Sequence, residues 1–388
     1  MNTSILTPEE WFSQPRVIAG IMTGTSLDAI DSALVEFSAE SDGNHRFKLL
    51  ESKAFPYDFN LKQGILDLIS KPTTIRDVTK IHYELSYAYS NAVKELMKLT
   101  GLKEIDAVSI HGQTVWHEPG TSPDRRMTFQ LGGVSALAQL LNTRVVGNFR
   151  EADTALGGQG APLVPIFDYE FFATGTDDII AINIGGMSNL TLLPANCTLD
   201  NVKAFDSGPG NVLVDTAMRV LYNRAYDESG AVATTGEIIP ALLDMLKSIE
   251  FIYQEPPKST GRETFGIELI HTILDKFAQT HLARDIITTL SYFTAWAIAH
   301  NIKLFGKANS EIIVSGGGSH NKYIISTLLS LLPESKIIIS DDIGIPADAK
   351  EGICFAYLAY RTLGGMTSNI PSVTGASREC ILGLVAYP

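Results

Sequence analysis

Cysteine is scarce in this chain: Cys197, Cys354 and Cys380 are the three among 388 residues. They are too few and too scattered for a disulfide framework or a zinc site, and a reducing cytoplasm fits. Long apolar runs are missing too. Nothing approaches a membrane-spanning length. No Lys or Arg precedes Arg16 and no apolar stretch follows Met1, so Met1 to Gln14 does not read as a secretory signal. Basic residues are outnumbered, 30 Lys and Arg against 43 Asp and Glu, for a formal charge of −13. Without a basic patch to release counterions, nucleic acid and anionic membrane are poor partners. The common nucleotide and hydrolase signatures are also absent. There is no G-x-x-x-x-G-K followed by Ser or Thr, which excludes a P-loop. GPGNVL at Gly208 lacks the third glycine of a dinucleotide fingerprint, and no G-x-S-x-G elbow occurs.

What is present describes an ordinary globular protein, 45% hydrophobic and 19% charged. Its length exceeds what one core usually supports, so two domains are expected. Val17 to Ile21 reads as a strand, Thr23, Gly24, Thr25 and Ser26 as a polar turn, and Asp31 to Phe37 as a second strand. Such a hairpin offers backbone N–H groups, Thr25 and Ser26 to phosphate oxygens, while Asp28 and Asp31 suit a metal or water. Phe47 to Phe55 is a third strand, and the apolar spacing from Thr74 to Leu99 predicts a helix, so an α/β domain begins here. The strand Ala107 to Ile110 ends in His111, Gly112, Gln113 and Thr114, with His117 beyond. Two histidines with no carboxylate or cysteine at zinc spacing make a poor metal site; the strand end suits a sugar hydrogen bond or a satisfied turn. After a strand at Met127 to Gln130, a helix at Val134 to Leu141 and a strand at Arg144 to Val146 comes NFREADTALGGQGAPLVP. It joins Arg150, Glu151 and Asp153 to Gly157, Gly158 and Gly160, and reads as a domain connection, a ligand-binding segment, or both.

In the second half, the strand Asp178 to Ile184, the turn Gly185, Gly186, Met187, Ser188, Asn189 and the strand Leu190 to Leu193 repeat the first hairpin's pattern. AFDSGPGNVLVD, Ala204 to Asp215, then carries Asp206 into a turn before the helix Val212 to Leu221, with Asn211 placed to cap it. Asp206 beside such a turn serves as a general base or metal partner in phosphoryl transfer, or merely starts the turn. Helices are expected at Gly236 to Ile249, at Phe265 to Phe277 behind a Thr260/Glu263 capping box, and at Leu282 to Phe305. The strand Glu311 to Val314 runs into SGGGSHN, Ser315 to Asn321, where Gly316, Gly317 and Gly318 let a ligand lie on bare backbone ahead of the helix Lys322 to Leu331. Lys336 to Ser340 is a strand, and PADAKEG, Pro346 to Gly352, opens a helix reaching about Leu363.

In order, GIMTGTSLDAID, SIHGQT, NFREADTALGGQGAPLVP, INIGGMSNLT, AFDSGPGN, PPKSTGRE, VSGGGSHN and PADAKEG resemble the motifs of the anhydro-N-acetylmuramic acid kinases, within the sugar kinase, hexokinase and actin superfamily. They cover Val17 to about Gly365. Ala29 stands where the family usually has Gly, and Met22 and Thr23 where the superfamily's first phosphate loop often begins with Asp. The resemblance implies a two-domain α/β, actin/hexokinase-like (ribonuclease H-like) fold with an interdomain active-site cleft. Divisions are expected at 150/151 and 364/365. It implies ATP-driven phosphorylation of a 1,6-anhydro amino sugar at O6 with opening of the ring by water, in cell-wall recycling. Asp206 is the implied base and Glu351 a carboxylate near the sugar, or simply a favourable acid in the first turn of a helix. ATP with Mg2+ is expected on Gly24, Thr25, Ser26, Leu27, Asp28, Ala29, Ile30, Asp31, Gly185, Gly186, Gly208, Gly316, Gly317 and Gly318, the metal's ligands being unassigned. His111, Thr114 and Arg150 are expected on the sugar, Arg150 because a lactyl carboxylate invites a bidentate partner. A cytoplasmic homodimer is expected. The competing readings are a sugar kinase acting on a free hydroxyl, a non-catalytic ATP clamp, and, more weakly, a glycosidase using Asp206 with Glu351.

Overall fold

A computed structural model describes residues 5–24, 27–41, 43–118, 120, 126–307 and 309–388. The strands in chain order are β1 (Arg16–Thr23), β2 (Ile30–Ala39), β3 (His45–Phe55), β4 (Ala107–Ile110), β5 (Gln113–Glu118), β6 (Met127–Leu131), β7 (Arg144–Gly147), β8 (Ile179–Ile184), β9 (Met187–Leu193), β10 (Lys203–Pro209), β11 (Glu311–Ser315), β12 (Lys336–Ile339) and β13 (Leu384–Ala386). Two compact units hold them, Met1–Phe171 with Ala349–Pro388, and Phe172–Asp348.

In the first unit the main sheet runs β13-β7-β4-β1-β2-β3. β1 pairs antiparallel with β2 and parallel with β4, and β2 pairs antiparallel with β3. Helices cover both faces of this sheet, as the alternation of side chains along β1 requires. Ala19 and Ile21 belong to the core that contains Leu85, Tyr89 and Leu96 of the helix Ile75–Thr100. Gly20, between them, faces the helix Lys350–Leu363. A Cβ built there would lie 2.0 Å from Gly352 O, so the absence of a side chain lets that helix rest on the strand. The helix Ile75–Thr100 begins at a Thr74/Asp77 capping box and stops at left-handed Gly101.

The second unit's sheet runs β10-β9-β8-β11-β12. Its pairings, antiparallel β8/β9 and β9/β10 and parallel β8/β11 and β11/β12, repeat the first sheet's arrangement around β1. The repeat expected from two similar hairpins is therefore a repeat of the whole third-second-first-fourth-fifth strand order, the ribonuclease H-like arrangement. Ile180, Ile182 and Ile184 pack with Ile298 and Ile302 of the helix Ala283–Phe305 and Ile324 and Leu328 of the helix Lys322–Leu331.

Three local expectations need correction. NFREADTALGGQGAPLVP lies inside the first unit, and the units divide after Phe171 and after Asp348 rather than at 150/151 and 364/365. The segment is fixed there because fully buried Asp153 accepts from Gly160 N, Asn369 Nδ2 and Thr374 Oγ1, tying it to the C-terminal part of the same unit. The helix expected over Gly236 to Ile249 shortens to Pro240–Lys247, with Pro240 at its first turn, where a missing N–H costs least. The helix expected from Phe265 begins at Ile267 behind Gly266, and no Thr260/Glu263 capping box forms. Thr260 gives its backbone N–H to Asp206 instead.

Candidate active site

Asp206 sits where β10 breaks register against β9. It pairs with Asn189, while Gly208 pairs with Ser188, leaving Ser207 as a bulge residue. A bulge bends the strand and re-aims its side chains. Ser207 turns inward to a buried 2.7 Å hydrogen bond with Ser188. Asp206 is half-buried and meets the segment Lys258–Ser259–Thr260. Its N–H donates to Lys258 O (3.1 Å), and its Oδ2 accepts from Ser259 Oγ (3.0 Å) and Thr260 N (2.9 Å). Among the described residues no hydrogen bond falls on Oδ1. Burial raises the carboxyl above the usual carboxylate range, against the lowering pull of Thr260 and Ser259 and a smaller one from Lys258. A carboxylate raised in this way accepts a proton more readily while one oxygen stays oriented.

The glycine turns of the same unit clasp one another. Gly210, Asn211 and Val212 donate their N–H groups to Gly186 O, Gly185 O and Gly186 O. Asn211 does not cap the helix Val212–Tyr222 with its side chain; its Nδ2 donates to Ile184 O. These first amides are therefore spent on the Gly185–Gly186 turn and are not open to an anion. Gly318 packs against Ile184 and Asn211, and Gly208 is buried against Ile252 and Ala297. Gly186 and Gly317 are exposed, and a Cβ built on either meets nothing within 4 Å. Of the expected glycines in this unit, those two have the barest backbone.

In the first unit, His111 is buried between two partners. Its Nδ1 meets Thr23 O at 3.2 Å, and its Nε2 accepts from Arg150 Nη2 (2.8 Å) and Nε (3.1 Å). Acceptance at Nε2 places the proton on Nδ1. Burial and then the Arg150 charge hold the imidazole well below its ordinary value, so it is neutral. Arg150 Nη1 also donates to Gly160 O at 2.7 Å. The guanidinium edge expected to grip a carboxylate is thus committed to His111. Burial lowers Arg150 to about 10, while Glu351 and Asp153 pull it upward. Glu351 lies in the first turn of the helix Lys350–Leu363. Thr114 Oγ1 accepts from Gln130 Nε2 at 3.4 Å. His117 bonds Thr128 Oγ1 at 3.1 Å, and no cluster of three His, Cys, Asp or Glu suited to a metal occurs among the described residues.

The family described as anhydro-N-acetylmuramic acid kinase matches residues 16–388. A relative of that name from Bacillus cereus is 37% identical over 96% of this chain and 99% of its own. One from Francisella tularensis subsp. novicida is 39% identical over 97% and 100%. The chain belongs to the anhydro-N-acetylmuramic acid kinase family. Among solved structures, it is similar to the activator of the 2-hydroxyisocaproyl-CoA dehydratase from Clostridium difficile with bound ADPNP, at 12% identity, TM-score 0.46, and 89% and 95% coverage.

Within this anhydro-N-acetylmuramic acid kinase family member, the first-loop residues divide by chemistry. Leu27 and Ile30 are buried in the first unit's core, so only their main chain remains for a nucleotide. Leu27 adopts left-handed geometry and its N–H donates to Gly24 O. Thr25 and Ser26 lie outside the described residues. Asp28 is exposed, and Gly24, Ala29 and Asp31 are half-buried. Sparse carboxylates on a glycine turn suit a cation carried by phosphates and water better than a protein cage.

Sequence reasoning missed Gln113 and the Lys258–Ser259–Thr260 segment. Gln113 is fully buried; its Nε2 donates to Gly24 O and its Oε1 accepts from Tyr57 Oη, supporting the first loop. Both lie in motifs already noted, SIHGQT and PPKSTGRE. No local signal distinguishes them, because their partners are distant in sequence.

Proposed function

We propose that this family member is an ATP-dependent kinase of 1,6-anhydro-N-acetylmuramic acid, forming N-acetylmuramic acid 6-phosphate and ADP in recycling of cell-wall fragments. The observation that carries the reading is Asp206: a half-buried carboxyl with raised proton affinity, one oxygen held by Ser259 and Thr260 and the other unbonded. In the reaction, Asp206 takes a proton from water as that water's oxygen bonds to the anomeric carbon. The bond from that carbon to the bridging oxygen, O6, breaks, its electron pair stays on O6, and O6 attacks the γ-phosphorus. The bond between the γ-phosphorus and the β,γ-bridging oxygen breaks, ADP departs, and Asp206 later returns the proton to solvent. A single base suffices because the accepting oxygen carries no proton.

Glu351, with Arg150 nearby in charge and His111 behind it, is proposed for the sugar, together with Thr114. Arg150 would act through its remaining N–H groups. The main chain from Gly24 to Asp31, the turns at Gly185–Gly186 and Gly316–Gly318, and Gly208 are proposed for ATP. Mg2+ would arrive on the phosphates, with Asp28 and Asp31 the carboxylates of the first loop; it would supply charge neutralisation there. A cytoplasmic homodimer completes the reading. The test is mass analysis of products formed from anhydro sugar and ATP in isotopic water. Label is expected on the anomeric oxygen, and label in phosphate would instead indicate ATP hydrolysis.

A further inference from the structure

Lys258 is a buried cation held by dipoles and ring faces. Its residue is 8% exposed, and its Nζ donates to Ile252 O (2.9 Å) and Phe251 O (3.3 Å). The ammonium lies 5.1 Å from the ring centre of Phe251, 5.3 Å from Phe305 and 5.7 Å from Phe205. Among the described residues no carboxylate comes within ion-pair distance of it, though Asp206 is near enough to feel its charge. Removing an ammonium from water is costly unless its donors are satisfied, and attraction to ring faces offsets part of that cost. Burial brings Lys258 down to about 8.

The placement has a consequence for Asp206. Phe205 adjoins Asp206 on β10, Phe305 ends the helix Ala283–Phe305, and Phe251 and Ile252 lie in the short 3-10 turn Glu250–Tyr253. Lys258 thus ties the Lys258–Thr260 segment to three separate elements. That segment supplies the acceptor for Asp206 N and both donors on Oδ2.

We propose that Lys258 is a positioning residue for the reaction: its buried ammonium pins the Lys258–Thr260 segment so that Ser259 and Thr260 hold Asp206 in an ionised, fixed orientation. The proposal rests on Asp206 being the base. Lys258 touches no reacting atom in this scheme. Lys258→Met keeps the length and apolar stem but removes the charge and the donors. Both losses favour protonated Asp206.

The experiment measures kcat and KM against pH with ATP and 1,6-anhydro-N-acetylmuramic acid. In Lys258→Met the acidic limb of kcat is expected to move up by about one pH unit, costing about tenfold on that limb, with KM for ATP within about twofold. Ser259→Ala, which removes one donor, is expected to move it the same way by less. Lys258→Arg is expected to restore much of the parent profile. A limb that stays in place or moves down in Lys258→Met overturns the proposal, even if the melting temperature falls. Should that chain not fold, Lys258→Gln, neutral but still able to donate to a carbonyl, is read by the same criterion. Asp206→Asn separates the two readings. A retained limb and near-parent turnover there sink the base assignment and Lys258's role with it, whereas an unmoved limb confined to the Lys258 variants sinks Lys258 alone.

Discussion

At the scale of the residue, the catalytic use proposed for Asp206 comes with a cost in stability. Asp206→Asn keeps the shape and an acceptor for Ser259 and Thr260 but cannot take a proton. Turnover is expected to fall at least ~10², about 2.7 kcal/mol of transition-state stabilisation, while ATP and sugar still bind by calorimetry. A drop in magnesium-ATP affinity rescued by added magnesium would make Asp206 a metal partner, and turnover within tenfold of the parent would turn attention to Glu351. In the parent, a base that must be ionised loses rate as pH falls through its raised value. Stability runs the other way. The folded carboxyl lies above its unfolded value, so between the two the folded chain binds more protons, and stability drops as pH rises through that window. The asparagine variant escapes this penalty. It is expected to melt no lower than the parent at about pH 7, with its advantage shrinking toward about pH 4. Scanning calorimetry at both values is the check, and a larger advantage in acid would contradict the assigned direction.

At the scale of the element, the glycine turns of the second unit divide into packed and bare positions. A Cβ on Gly210 would come within 2.2 Å of Gly185 O, a backbone atom that cannot swing aside. Gly210→Ala is expected to open the clasp and destabilise the protein by about 1–3 kcal/mol. Gly317 meets nothing within 4 Å and does not have a positive φ. Gly317→Val is therefore expected to fold with an unchanged melting temperature. If ATP lies on this bare backbone, the same variant weakens ATP binding by at least ~tenfold, about 1.4 kcal/mol, and leaves sugar binding intact. Equal loss of both affinities in the folded variant would place the nucleotide elsewhere.

At the scale of the whole molecule, a formal charge of −13 gives no electrostatic reason to bind nucleic acid. For the substrate, the expected outcome is that anhydro sugar turns over at least ~10²-fold faster than a plain hexose, because activating water for ring opening does nothing for a free hydroxyl. Comparable rates would favour an ordinary sugar kinase. By itself the sequence determined the two-domain α/β class, most of the strands and helices, the paired hairpins, the glycine turns and the family, with Asp206 singled out. These follow from apolar periodicity, turn chemistry and motif order, all read over short stretches. Tertiary structure decided what those residues touch. Asp206 receives its donors from Ser259 and Thr260, 53 and 54 residues away, and the helix expected to be capped at Thr260 starts only at Ile267. Arg150 turns its fork to His111, 39 residues back, and Asp153 binds Asn369 and Thr374 from the far end of the chain. Such partners meet because the strand order brings distant segments together, and a buried polar group must then bond whatever donor or acceptor that packing presents.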